Sequence, residues 1–155
     1  MSNIILPSSL DYLTFSNLED GEYHLPTRHE ILPGLWLGQD PDGKVPKEFK
    51  YIISVNGAKY INLLNRYTIS TFFEDSYVVP PEHYLNSLAD LILRCWKDGQ
   101  TLVHCAAGQN RSALVLGLAL VRNGMKSSDA IELMRAKRSR LVLHNKVFEN
   151  WLLAK

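Results

Sequence analysis

Thr101-Leu102-Val103-His104-Cys105-Ala106-Ala107-Gly108-Gln109-Asn110-Arg111-Ser112 decides how this chain folds. Thr101 to His104 is apolar and short, and reads as a buried strand. A glycine-containing loop follows, and then a long apolar run from about Ser112 to Asn123, which reads as a heavily buried helix closed by Gly124. A loop entering a helix turns several backbone N–H groups and the positive end of the helix into one concave space. Such a space favours an anion.

The residue types along the loop agree with that reading. Gly108 has no Cβ and lets the backbone curl tightly. Arg111 brings a planar fork of donors that can grip two oxygens of a phosphate. Cys105, with five residues between it and Arg111, faces the same positive field, which favours thiolate over thiol. A thiolate in front of a bound phosphate is placed for in-line attack at phosphorus, giving a cysteinyl-phosphate. Ser112 can donate to the sulfur and ease its departure in a second step. His104 takes an orienting or electrostatic role rather than that of proton donor. Ala106, Ala107, Gly108, Gln109, Asn110 and Arg111 are the expected phosphate-binding residues.

His-Cys-five residues-Arg-Ser resembles the signature of the cysteine-dependent protein tyrosine phosphatase superfamily. The fuller string His104-Cys105-Ala106-Ala107-Gly108-Gln109-Asn110-Arg111-Ser112 resembles its dual-specificity branch. Pro33-Gly34-Leu35-Trp36-Leu37-Gly38 is similar to the phrase that opens the sheet in that branch. The resemblance covers roughly Ile31 to Leu152. It implies a metal-independent, cofactor-free protein phosphatase acting on phosphotyrosine and on phosphoserine or phosphothreonine, with phosphorylated proteins as partners.

The reaction needs a proton donor for the departing oxygen, and a nearby carboxylic acid is the usual provider. In the family this acid is an Asp on a loop upstream of the Cys. Asp75, in Phe73-Glu74-Asp75-Ser76, resembles that acid loop, with Glu74 as its rival.

Elsewhere, Leu35-Trp36-Leu37, Tyr51 to Asn56 and Thr68 to Phe73 read as strands. Pro80-Pro81 introduces a helix from about Glu82 to Asp98, with Cys95 on its buried stripe as a core residue and Gly99 as its stop. Ser127 or Ser128 is expected to cap a helix of about Asp129 to Lys137, and a last amphipathic helix runs from about Asn145 to Leu153. Strands alternating with helices predict a single α/β domain, a twisted central sheet with helices on both faces, and a site at the carboxyl ends of the strands. Residues 1–29 read as an N-terminal arm and residues 30–155 as the catalytic domain.

Composition narrows the function class. At 155 residues with 46% hydrophobic and 21% charged, the chain is an ordinary globular domain. A net charge of +1 argues against a general polyanion-coating protein, so no nucleic-acid partner is expected. No apolar run reaches transmembrane length and no signal-peptide layout opens the chain. With one of its two cysteines in a nucleophile's place, a reducing, cytoplasmic setting and a monomer are expected. No spacing of His, Cys, Asp or Glu names a metal, and His24, His29, His83 and His144 carry no assigned role. Lys126, Arg135, Lys137, Arg138 and Arg140 read as a solvated face.

Three alternatives remain. Asn110 before Arg111 is a pattern of the related RNA 5′-triphosphatases, which makes an RNA 5′ end the alternative substrate. A phosphoinositide phosphatase of the same superfamily would commonly carry lysines in this loop, and there are none. A catalytically silent phosphosite-binding module would typically have lost Cys105 or Arg111.

Overall fold

The computed structural model describes residues 27–42, 45, 47–60 and 66–155. Five strands form one sheet: β1 (Arg28–Leu32), β2 (Leu35–Gly38), β3 (Tyr51–Ser54), β4 (Tyr67–Ser70) and β5 (Thr101–His104), in the order β1-β2-β5-β3-β4. β1 and β2 make an antiparallel hairpin about Pro33-Gly34, and Gly34 takes a left-handed φ of 83° there. The other pairings are parallel, so β5 lies between β2 and β3. This central position explains why all four of its residues are buried.

Among the described residues, four helices complete the α/β domain: α1 (Glu82–Asp98), α2 (Arg111–Arg122), α3 (Ser127–Lys137) and α4 (Lys146–Leu153). All four bury apolar side chains in one cluster with Leu35, Leu37, Ile53 and Val103 from the sheet. In α2 every residue from Ser112 to Leu120 is buried, as expected of a helix apolar on most faces. The opposite face of the sheet carries Trp36, Ile52 and Leu102, covered by Phe49, Val45 and Tyr60. Among the described residues that second layer is irregular chain, not helix. No helix of the described residues is long and apolar enough to cross a membrane.

Several local expectations shift. The strand expected over 68–73 stops at Ser70, and Phe72 is 60% exposed with only an isolated bridge to Asn56. α3 starts at Ser127, with Lys126 in the capping position and no side-chain cap, so neither Ser127 nor Ser128 caps it. Gly99 does end α1, but in extended backbone (φ 169°). An added Cβ there would lie 2.9 Å from the Lys50 side chain, which would have to shift. The expected arm falls outside the described residues except at its end, where Arg28 and His29 belong to β1. Cys95 packs in the helix-side core, and burial pushes its thiol up.

Candidate active site

Cys105 is the first residue after β5 and is 3% exposed. Around it, four consecutive carbonyls are held by donors from other segments. Ala106 O accepts from Asp40 N (3.0 Å) and Gln109 O from Leu143 N (2.8 Å). Arg138 serves the two between them, with Nη2 on Ala107 O (2.9 Å) and Nε on Gly108 O (2.7 Å). In a trans peptide the N–H points opposite to the preceding C=O. The N–H groups of residues 107 to 110 therefore face away from these partners. The direction is given by Gly108, whose N–H donates to Cys105 Sγ at 3.2 Å.

Gly108 has no substitute here. Its φ is +68°, and an added Cβ would sit 2.3 Å from the carbonyl of Gly38. Ser112 is fully buried at the start of α2, and its Oγ lies 3.2 Å from Cys105 Sγ. Arg111 donates from Nη1 to Phe73 O (3.3 Å), while its buried Nε has no partner among the described residues.

His104 is fully buried behind Cys105. Burial holds its pKa below the ordinary value, against the pull of the Cys105 carbonyl and the Asp40 carboxylate. A neutral ring fits its contacts: Nδ1 donates to Cys105 O (3.2 Å) and Nε2 accepts from the Tyr60 hydroxyl (2.6 Å). Burial and the Asp40 charge push that hydroxyl's pKa up. Burial would raise the Asp40 carboxyl, but hydrogen bonds from Asn56 and the Asp42 N–H outweigh it and hold it low. Tyr60 and Asp40 were not legible as site residues, since nothing in their spacing ties them to His104.

Asp75 is exposed on the segment between β4 and α1. Both its oxygens are nonetheless held: Oδ2 by Asn110 Nδ2 and Oδ1 by Asn145 Nδ2, each at 2.8 Å. Asn145 also caps α4, its Oδ1 accepting from Val147 N and Phe148 N, and donates to Ser76 O. Glu74, its rival, is also exposed on this segment. The structure thus brings Asp75 to the signature loop, and it shows that the Asn110 side chain is engaged by other residues, leaving only its backbone N–H for an anion.

The basic cluster is no uniform solvated face. Arg135 pairs with Glu149 at 2.6 Å and donates to the Val142 and Leu143 carbonyls. Arg138 is 6% exposed beneath the loop. Burial lowers its pKa to about 10, against the attraction of Cys105, so it stays charged at neutral pH. Its Nη1 donates to His29 Nδ1 (3.1 Å).

Burial and then the Arg138 charge hold His29 at about 4, from an ordinary 6.5. Between those values the unfolded chain binds the proton and the folded one does not, so stability rises with pH. The contribution is whole above about 6.5 and is lost as pH falls toward 4. His29→Gln should flatten that part of the curve in urea titrations taken between these pH values. An unchanged slope would place the acid sensitivity elsewhere.

A family model described as the catalytic domain of dual specificity phosphatases matches residues 35–155. The probable protein tyrosine phosphatase type IVA B of Dictyostelium discoideum is 34% identical over 74 residues, which cover 45% of each chain. Dual specificity protein phosphatase 15 of Mus musculus is 28% identical over 116 residues, 70% of this chain and 49% of that one. The chain spans about half the length of the curated relatives it matches. The crystal structure of human DUSP28 superposes with a TM-score of 0.73 at 18% identity, over 83% of this chain and 92% of that one, a likeness of fold. A match running from β2 to the last residue takes in the central strand, its loop and all four helices, and the chain belongs to the family of dual specificity phosphatase catalytic domains.

Proposed function

We propose that this chain hydrolyses phosphate monoesters on protein side chains, phosphotyrosine and phosphoserine or phosphothreonine alike, through a cysteinyl-phosphate. The observation that carries this reading is the setting of Cys105 Sγ. It lies 3.2 Å from Gly108 N and 3.2 Å from Ser112 Oγ, beneath a loop whose carbonyls are all tied off elsewhere. The loop N–H groups and Arg111 bind the non-bridging oxygens. The thiolate attacks phosphorus in line, the P–O ester bond breaks, and Asp75 gives its proton to the departing oxygen. Asp75 then takes a proton from water as the water attacks the phosphoenzyme. The S–P bond breaks, Ser112 donates to the released thiolate, and inorganic phosphate leaves. His104 holds the Cys105 backbone in place.

Asn110, the residue that suggested an RNA 5′-triphosphatase, has another task here, because its side chain is taken up by Asp75, His144 and Asn145. The test is an EDTA-containing assay of the purified protein on phosphotyrosine and phosphothreonine peptides, a 5′-triphosphorylated RNA and a phosphoinositide. Turnover of both peptides ahead of the other two is expected. Preference for the RNA or the lipid would overturn the substrate class. Tight peptide binding without turnover would leave a binding module.

A further inference from the structure

Asn110 occupies the N-cap position of α2, the place where Asn most often turns its side chain onto its own helix. Here it makes no such cap. The residue is 3% exposed, and its side chain turns away from the helix to two other segments, at Asp75 and at His144-Asn145. Its orientation is set without ambiguity. Asn145 N–H, a donor only, approaches Oδ1 at 3.0 Å, so the other end is the amide NH2. One hydrogen goes to Asp75 Oδ2 (2.8 Å) and the other to His144 Nε2 (3.0 Å). His144 in turn is fixed as an acceptor at Nε2, because its Nδ1 donates to Leu141 O at 2.9 Å. Both amide hydrogens and the oxygen are thus engaged, and every partner is used in its proper sense.

We infer that Asn110 is the positioning residue for the proton donor of this enzyme, and that His144 fixes the Asn110 amide in the orientation that serves Asp75. The inference rests on the reading of Asp75 as that donor. An exposed carboxylate on a loop is free to rotate. Anchored at Oδ2 from the nucleophile's own loop, it keeps its register with Cys105 through each cycle. Asn145 holds the other oxygen and so prevents the carboxylate from swinging about its single anchor.

The experiment compares Asn110→Ala, His144→Phe and His144→Gln in the full chain on two substrates. One is an activated aryl phosphate whose leaving group needs no proton; the other is a phosphothreonine peptide whose leaving group needs one. Asn110→Ala should lower kcat on the phosphothreonine peptide about 10- to 100-fold, the scale of a misplaced catalytic group. On the aryl phosphate the loss in kcat should be markedly smaller than on the peptide, because proton donation contributes least there. In an Asp75→Ala background the same substitution should have no further effect, since it acts through the residue already removed. His144 is exposed, so its variants are expected to fold. His144→Phe should give a smaller loss with the same substrate dependence, and His144→Gln, whose amide oxygen can accept from Asn110, should restore activity.

Equal losses on both substrates, or a full loss added to that of Asp75→Ala, would mean that Asn110 serves the phosphate loop and would overturn the inference. If Asn110→Ala does not fold, the two His144 variants decide: substrate-independent effects, or no rescue by Gln, reject it. If Asp75→Ala itself spares the phosphothreonine peptide, the fault lies with the proton-donor reading, not with the clamp.

Discussion

Cys105→Ser should reduce turnover by about 10³-fold or more while leaving the fold and phosphate binding intact. The loss follows from the nucleophile. A serine hydroxyl has no adjacent base here, since the ring behind it, His104, is buried with its nitrogens facing the Cys105 carbonyl and Tyr60. The retained binding follows from the loop. Its carbonyls are held by Asp40, Arg138 and Leu143, none of which touches the sulfur. Gly108 N–H and Ser112 Oγ can both hydrogen-bond a serine oxygen. Rapid-quench kinetics should find no phosphoenzyme, and calorimetry should find the phosphopeptide bound as in the wild type. Near-normal turnover would remove Cys105 from the reaction. Cys95 offers no substitute, since it is packed in α1 with its thiol pushed up by burial.

Asp75→Asn should lower kcat about 10²- to 10⁴-fold on a phosphothreonine peptide and far less on an activated aryl phosphate. An amide has no proton to give, and an alkoxide is a poor leaving group without one. There is a second effect. Asn110 and Asn145 each present an N–H to this carboxylate. An Asn at position 75 would set its own NH2 against one of them, and the loop would shift. Asp75→Ala, which removes the acid without a donor clash, separates the two contributions, and both variants should steepen the dependence of rate on leaving-group pKa. Glu74→Gln is the control. A steepened dependence in Glu74→Gln and none in Asp75→Asn would transfer the role to Glu74.

The arginine and asparagine residues that complete the site entered only with the tertiary structure. Arg138 reads in sequence as one of five basic residues on a solvated face. It becomes a site residue because the end of α3 lies under the loop, where a charged fork can satisfy two adjacent carbonyls. Asn145 reads as the start of α4, and it is, but only one end of its amide does the capping. His144 carries no signal at all, because its meaning depends on which way Asn110 turns. β1 carries no strand pattern for a different reason: Arg28-His29-Glu30 is polar, and an edge strand paired on one side needs little apolar pattern.

What the sequence by itself determined is what neighbouring residues decide among themselves. Strand β5, the turn at Gly108, the helix opened by Arg111 and the span of α1 all follow from apolar periodicity and turn chemistry within a few positions. Cys105, Ser112 and Arg111 are set by that local unit and were legible as a site. The hold on Asp75 joins residues 35 and 70 positions apart. Tyr60 lies 44 positions from His104, and His29 lies 109 from Arg138. Those pairs meet because β5 is inserted between β2 and β3, which draws the segments following four separate elements to one end of the sheet. No spacing in the chain encodes that convergence; the order of the strands does.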